Sequence, residues 1–152
     1  MFFSLSSAVS AVPAGSPVRI NEVAPSSSPD WVEFYVASGG NYSNYIFREG
    51  STVIQGSTWT NTAAGKTFPD SFSPATGDYI ILHFNDDGVT ASEDSSSGKG
   101  VNGIWDLYTT DSGLTATDNM LTLRNASDTA PMIDAMAYSD KNGTGSPNMG
   151  LS

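Results

Sequence analysis

With 152 residues, the chain is long enough for one domain with its own core and too short for two. Sixteen acids against six bases give a formal net charge of -10, and Arg19, Arg48, Lys66, Lys99, Arg124 and Lys141 stand singly with no basic patch, which disfavours nucleic acid and anionic lipid surfaces as partners. Cysteine is absent, removing disulfides, thiolate metal sites and a cysteine nucleophile; only 14% of residues are charged, so polarity comes from Ser, Thr, Asn and Gly, a profile common in extracellular all-β modules.

The N-terminal run "MFFSLSSAVSAVPAGSP" is apolar and then small, and Val9-Ser10-Ala11 fits the pattern before a signal-peptidase cut. Its apolar stretch is short and no basic segment precedes it. Residues 1–16 therefore read as a disordered arm or residual signal peptide, and 17–152 as the folded domain. No later window approaches the roughly 20 apolar residues of a membrane span, so membrane insertion is not expected.

Period-two alternation then recurs between turn-rich segments, and helical periodicity is nearly absent. "VRINEVA" from Val18 is closed by "SSSP", and "DWVEFYV" from Asp30 is closed by Ser38-Gly39-Gly40. "SNYIFRE" and "STVIQ" are separated only by Gly50, which predicts a tight hairpin. "GDYIILHF", from Gly77 to Phe84, is the longest apolar run and predicts an inner strand. "NMLTLRN" and "PMIDAMAYS" form the last pair, joined by a turn at Ala126 to Ala130. These seven candidate strands suit a sandwich of two antiparallel sheets. Between Asn85 and Asp118 the sequence shows no sustained strand, and "GIWDLY" within it is expected to pin the excursion as a helical turn or short strand.

In "DWVEFYV" the alternation turns Val32, Phe34 and Val36 inward and Trp31, Glu33 and Tyr35 outward. Glu33 is thus expected in a cross-strand ion pair with Arg19 or Arg48. A catalytic role would need a second carboxylate at matched distance, for which Glu22 is the candidate. His83, the single histidine, shares a face with Ile81, while Ile80, Leu82 and Phe84 share the other. No Gly-x-Ser-x-Gly elbow accompanies it, so no catalytic residue is assigned.

The order of these segments resembles that of lamin tail domains. "VRINEVAPSSSPDWVEFYV" is similar to their opening, where an Ile-x-Glu-hydrophobic strand leads through a short loop to a Trp-x-Glu-hydrophobic strand. "KTFPDSFSPATGDYIILHF" resembles the next landmark, a Phe-Pro segment before a Gly and a buried strand. "DNMLTLRNASDTAPMIDAMAYSD" resembles the last, a strand, polar turn and strand ending in Asp-x-hydrophobic-x-Tyr. The resemblance covers Pro17 to Ser152 and implies an immunoglobulin-like two-sheet sandwich, here with one long loop insertion. Eukaryotic members form tails of nuclear intermediate filaments; bacterial members are mostly secreted or surface-attached modules, often fused to hydrolases. No coiled-coil heptads precede the domain, which points to the bacterial kind. The family carries no shared catalytic set, so the resemblance implies a fold and no chemistry. Departures are the Asn85 to Asp118 insertion and the end at Gly150-Leu151-Ser152, where a final short strand is usual; its lack predicts an unpaired sheet edge.

Three surface features remain. "NDDGVTASED" gathers Asn85, Asp86, Asp87, Glu93 and Asp94 around a glycine, an oxygen-rich composition that suits calcium through Asp86, Asp87 and Asp94. It departs from the EF-hand pattern, and the same composition describes a solvated loop. Trp59, Tyr42, Tyr45 and Trp105 lie in or beside loops and could stack on sugars or anchor a protein, while Trp59 and Trp105 could equally close the ends of the sandwich. Sequons at Asn41, Asn125 and Asn142 matter only in a eukaryotic secretory host. The expectation is a secreted or cell-surface, non-catalytic binding or adhesion module, meeting protein or carbohydrate at a sheet edge or the loop end. The alternatives are a subunit that self-assembles through an edge strand and an accessory domain detached from a secreted hydrolase.

Overall fold

The computed structural model describes residues 15–25, 27, 29–54, 56, 67–85, 98–116, 119–125 and 130–138. Among them the chain is all-β, with eight strands: β1 Val18–Ala24, β2 Trp31–Val36, β3 Tyr45–Glu49, β4 Thr52–Val53, β5 Tyr79–His83, β6 Trp105–Tyr108, β7 Asn119–Asn125 and β8 Met132–Tyr138. They form a β-sandwich of two four-stranded sheets, β1-β2-β5-β6 and β4-β3-β7-β8. Consecutive strands are thus laid down in pairs, two in one sheet and the next two in the other.

Alternation decides which side chains face the gap between the sheets. Val32, Phe34 and Val36 of β2 and Ile80 and Leu82 of β5 are fully buried, while their strand neighbours are at least partly accessible. From the opposite sheet, Phe47, Leu121 and Leu123 enter the same core. Phe34 and Phe47 meet edge to face across the gap, with centroids 5.3 Å apart at 87°, and Phe34 contacts Phe68 at 5.6 Å and 66°. Edge-to-face geometry is what the ring quadrupoles favour. Burying each such side chain stabilises the fold by about 1.5–3 kcal/mol.

The hairpin expected at Gly50 forms: Glu49 pairs with Thr52 around a two-residue loop, and Gly50 has φ 54°. A glycine takes that left-handed position without steric cost.

Of the two alternatives for "GIWDLY", the short strand forms, and "WDLY" is an eighth strand whose pairing differs from the antiparallel expectation. β6 pairs with β5 in parallel, Ile80 with Trp105 through His83 with Tyr108, so one sheet is mixed and not purely antiparallel. Parallel neighbours cannot be joined by a hairpin and need a crossover of about a dozen residues or more. The long excursion after β5 supplies that crossover.

At one corner of the sandwich, edge strand β1 meets edge strand β8. A register shift sits between Ile20 and Glu22, and the Ile20 N–H donates to Asp134 Oδ2 of β8 at 2.6 Å. Ser16 Oγ donates to the Ile133 carbonyl beside it. Asp134 is buried and faces inward from β8 opposite Leu123. Burial raises its carboxyl above the ordinary value, against the pull of backbone hydrogen bonds from Ile20 and Ala135 and the Arg19 charge.

A raised folded-state pKa means that the contribution of Asp134 to stability is complete below about pH 4, and is lost as pH rises through the folded value. Asp134→Asn keeps an acceptor for Ile20 without the buried charge. Urea unfolding should therefore show wild type losing stability relative to Asp134→Asn as pH rises above about 4. Asp134→Ala, which leaves the Ile20 N–H unpaired, should cost about 1–3 kcal/mol. Parallel pH profiles for wild type and the Asn variant would refute the assignment.

Candidate functional site

The side chains that alternate away from the core form the outer face of the first sheet. On β2 these are Trp31, Glu33 and Tyr35; on β5 they are Tyr79, Ile81 and His83. The register sets them in rows, Tyr35 beside Tyr79, Glu33 beside Ile81 and Trp31 beside His83. β1 extends the three rows, with Arg19 beside Tyr35, Glu22 beside Glu33 and Ala24 beside Trp31. Tyr35 and Tyr79 pack with centroids 5.3 Å apart at 50°, and Tyr79 remains 42% exposed. Between the Tyr35 and Trp31 rows, Asn21 Nδ2 donates to Glu33 Oε1 at 2.7 Å.

The outer face of the second sheet is different. Ile46 of β3 and Met120, Thr122 and Arg124 of β7 alternate away from the core, yet all four are buried. That outer face is buried over β3 and β7 and exposed at Met132 of edge strand β8, whereas the outer face of the first sheet is partly accessible over β1, β2 and β5.

At the β6 end of the first sheet the face closes. Asp106 and Tyr108 share the outward side with Ile81 and His83, but both are buried. His83 Nε2 lies 2.9 Å from Asp106 Oδ1, Asn102 Nδ2 donates to Asp106 Oδ2 at 2.8 Å, and the His83 ring stacks on Tyr108 at 5.0 Å and 19°. In a catalytic triad the carboxylate orients one ring nitrogen so that the other serves a nucleophile. Here the carboxylate bridges the histidine of β5 to the Asn102 turn, joining strand, neighbour strand and loop. Asp78, just before β5, is a second such hub: it accepts from Lys99 Nζ at 2.6 Å, Trp105 Nε1 at 2.8 Å and the Ala75 N–H at 2.9 Å.

Several expected site residues lie elsewhere. Asp86, Asp87 and Asp94, the calcium candidates, and Trp59 fall outside the described residues. Among the described residues no group of three or more His, Asp or Glu side chains could hold a metal ion. Tyr42 and Tyr45, expected at the surface, are core residues in edge-to-face contact at 4.7 Å. The short loop packs them inward, where the Tyr42 hydroxyl donates to the Ser38 carbonyl. Trp105 closes the end of the sandwich against Phe72, at 5.0 Å and 86°. Glu33 is bonded to Asn21; Arg48 stands on the other sheet and donates to the Ser51 carbonyl, and Arg19 faces Tyr35.

Tyr35, Tyr79 and Asp106 were not singled out from the sequence. For the tyrosines the signal was present, since both alternate outward in strands that the sequence reveals. For Asp106 the signal was the period-two pattern of "WDLY", in a segment that the sequence leaves between a helical turn and a short strand.

The fold and this face define an all-β sandwich domain with one accessible aromatic sheet surface. The chain belongs to the family described as TP_1001_2nd, protein second domain, whose model matches residues 16–148. No curated protein matches it.

Burial pushes the Asp78 carboxyl up, but the hydrogen bonds from Lys99, Trp105 and Ala75, with the Lys99 charge, outweigh burial and hold it below its ordinary value. Such a group contributes stability that is present above its unfolded pKa, about 4, and is lost as pH falls through the lower folded value. Asp78→Asn should lose less stability than wild type when unfolding is compared between about pH 5 and pH 2. Equal acid losses in the two proteins would show that the hub is not charge-stabilised.

Proposed function

We propose that the chain is a non-catalytic, extracellular binding module of lamin-tail type that meets its partner on the outer face of the first sheet. The observation that carries this reading is the contrast between the two outer faces. Over the inner strands β3 and β7 of one sheet Ile46, Met120, Thr122 and Arg124 are buried, with Met132 on edge strand β8 39% exposed, while on the other sheet Tyr79 of inner strand β5 stands 42% exposed beside Tyr35. Aromatic side chains of that kind favour binding, because a ring contributes large contact area and a polar tip at low conformational cost.

The lamin-tail part of the reading is supported by where the three similar segments fall. They lie on the β1–β2 hairpin, on the run into β5, and on the β7–β8 hairpin. The extracellular part is supported by low charge, high Ser, Thr and Asn content and the leader-like residues 1–16. The non-catalytic part is supported by His83 and Asp106, which are engaged in holding β5, β6 and the Asn102 turn together.

Retention of fluorescently labelled protein on bacterial cell walls and on coats of extracellular-matrix protein tests the surface. Wild type should be retained on at least one, and Tyr35→Ser/Tyr79→Ser should lose about tenfold or more in affinity while keeping its melting cooperativity. Equal retention of both proteins would exclude this face as the contact.

A further inference from the structure

We infer that the occupant of this face is a neutral polysaccharide chain lying along β2, an inference that rests on the binding reading above. Trp31, Glu33 and Tyr35 are successive outward residues of one strand, so a polar group stands between two aromatic ones. At about 3.3 Å per residue, Trp31 and Tyr35 are roughly 13 Å apart along β2, a length that a short oligosaccharide spans. Tyr79 widens the platform at the Tyr35 end, its ring 5.3 Å from that of Tyr35.

Sugars present two chemistries in alternation, axial C–H surfaces and equatorial hydroxyls. The C–H surfaces pack on aromatic faces, as apolar groups do on the negative face of a ring. The hydroxyls donate to carboxylates, and such charge-assisted bonds are the stronger class. Glu33, with Asn21 bonded to it, and Glu22 directly opposite supply acceptors between the rings. Two carboxylates side by side repel each other in the empty face, and O–H donors placed between them relieve that repulsion without bringing charge.

Charge selects among saccharides. Glu22 and Glu33 are on the face itself, and the chain as a whole carries -10, so acidic glycans and other polyanions are repelled. Arg19, the one cation in these rows, also acts on buried Asp134. A protein partner of ordinary kind would call for an apolar centre with a polar rim. Here carboxylates and rings alternate through the middle of the surface.

Affinity electrophoresis tests the ligand class, with gels containing hydroxyethyl cellulose, xylan, galactomannan or glycol chitin, and heparin or polygalacturonate as polyanion arms. At least one neutral polymer should retard wild type. Tyr35→Ser/Tyr79→Ser should weaken that retardation about tenfold or more, Tyr79→Phe should preserve it, and Met132→Ser on the second sheet should leave it unchanged. Near-ultraviolet circular dichroism of each variant establishes that the sandwich is intact. Retardation by polyanions alone, by no neutral polymer, or equally for wild type and the double variant would overturn the inference. If the double variant still loses retention on cell walls or protein coats while no neutral polymer binds wild type, the binding surface stands and only its saccharide ligand falls. Loss of neither property would remove both.

Discussion

The contact of Phe34 with Phe47 is the constraint on which the rest of this molecule hangs. It joins the centre of one sheet to the centre of the other, and Phe68 and Phe72 extend the same layer toward Trp105. A strand has a side-chain period of two, so fixing Phe34 inward fixes Glu33 and Tyr35 outward with no further choice. A slip of one residue would bury a carboxylate and expose a phenylalanine. The accessible rings of the outer face are therefore positioned by the core, and their placement is as rigid as the packing beneath them.

Hydrophobic packing fixes the sheets but leaves the connections, and in a chain with few charges single aspartates hold those. Asp30 accepts the Leu114 N–H at 2.8 Å, and Gly113 lies so close that an added Cβ would stand 2.7 Å from Asp30 Oδ2. With φ 121° as well, that position has two reasons to be glycine. Asp78 gathers Lys99 and Trp105, Asp106 gathers His83 and Asn102, and Asp134 caps the Ile20 N–H. Each carboxylate ties a loop or edge to a strand, satisfying donors that the sheets themselves leave over. The parallel strand β6 shows why so many are needed. Parallel neighbours are not joined by a hairpin, and two of the four aspartates tie Lys99, Asn102 and Trp105, at and before β6, to β5 and the residue before it.

Alternation made most strands legible in the sequence. β2 and β5 were read with the correct faces because Val32, Phe34, Val36, Ile80 and Leu82 are strictly period-two or nearly continuous. β6 was legible only as one of two alternatives, a short strand or a helical turn, since four residues in a polar segment give too short a pattern to separate them, and parallel pairing leaves no turn signal. The Tyr42 and Tyr45 error has another cause. A loop aromatic reads as exposed when its neighbours are Asn and Ser, but here tertiary packing turns both rings inward. The Glu33 partner was beyond sequence reasoning because assigning strands to sheets was required first. Arg48 belongs to the second sheet, and the irregularity at Asn21, which brings its amide beside Glu33, leaves no mark in composition.

The two outer faces show how one architecture can reserve a surface. A sheet face covered on the outside behaves as part of a second core, and the buried Ile46, Met120, Thr122 and Arg124 have that character. Among the described residues, the outer face of the first sheet is buried at its β6 end, where Asp106 and Tyr108 are buried and His83 is held by both. Closing that end removes the one imidazole from ready contact with solvent, its side chain 17% exposed, and commits it to structure. What stays accessible is the part bearing rings, carboxylates and an amide, with Tyr35 beside Tyr79, Glu22 beside Glu33 and Asn21 bonded to Glu33.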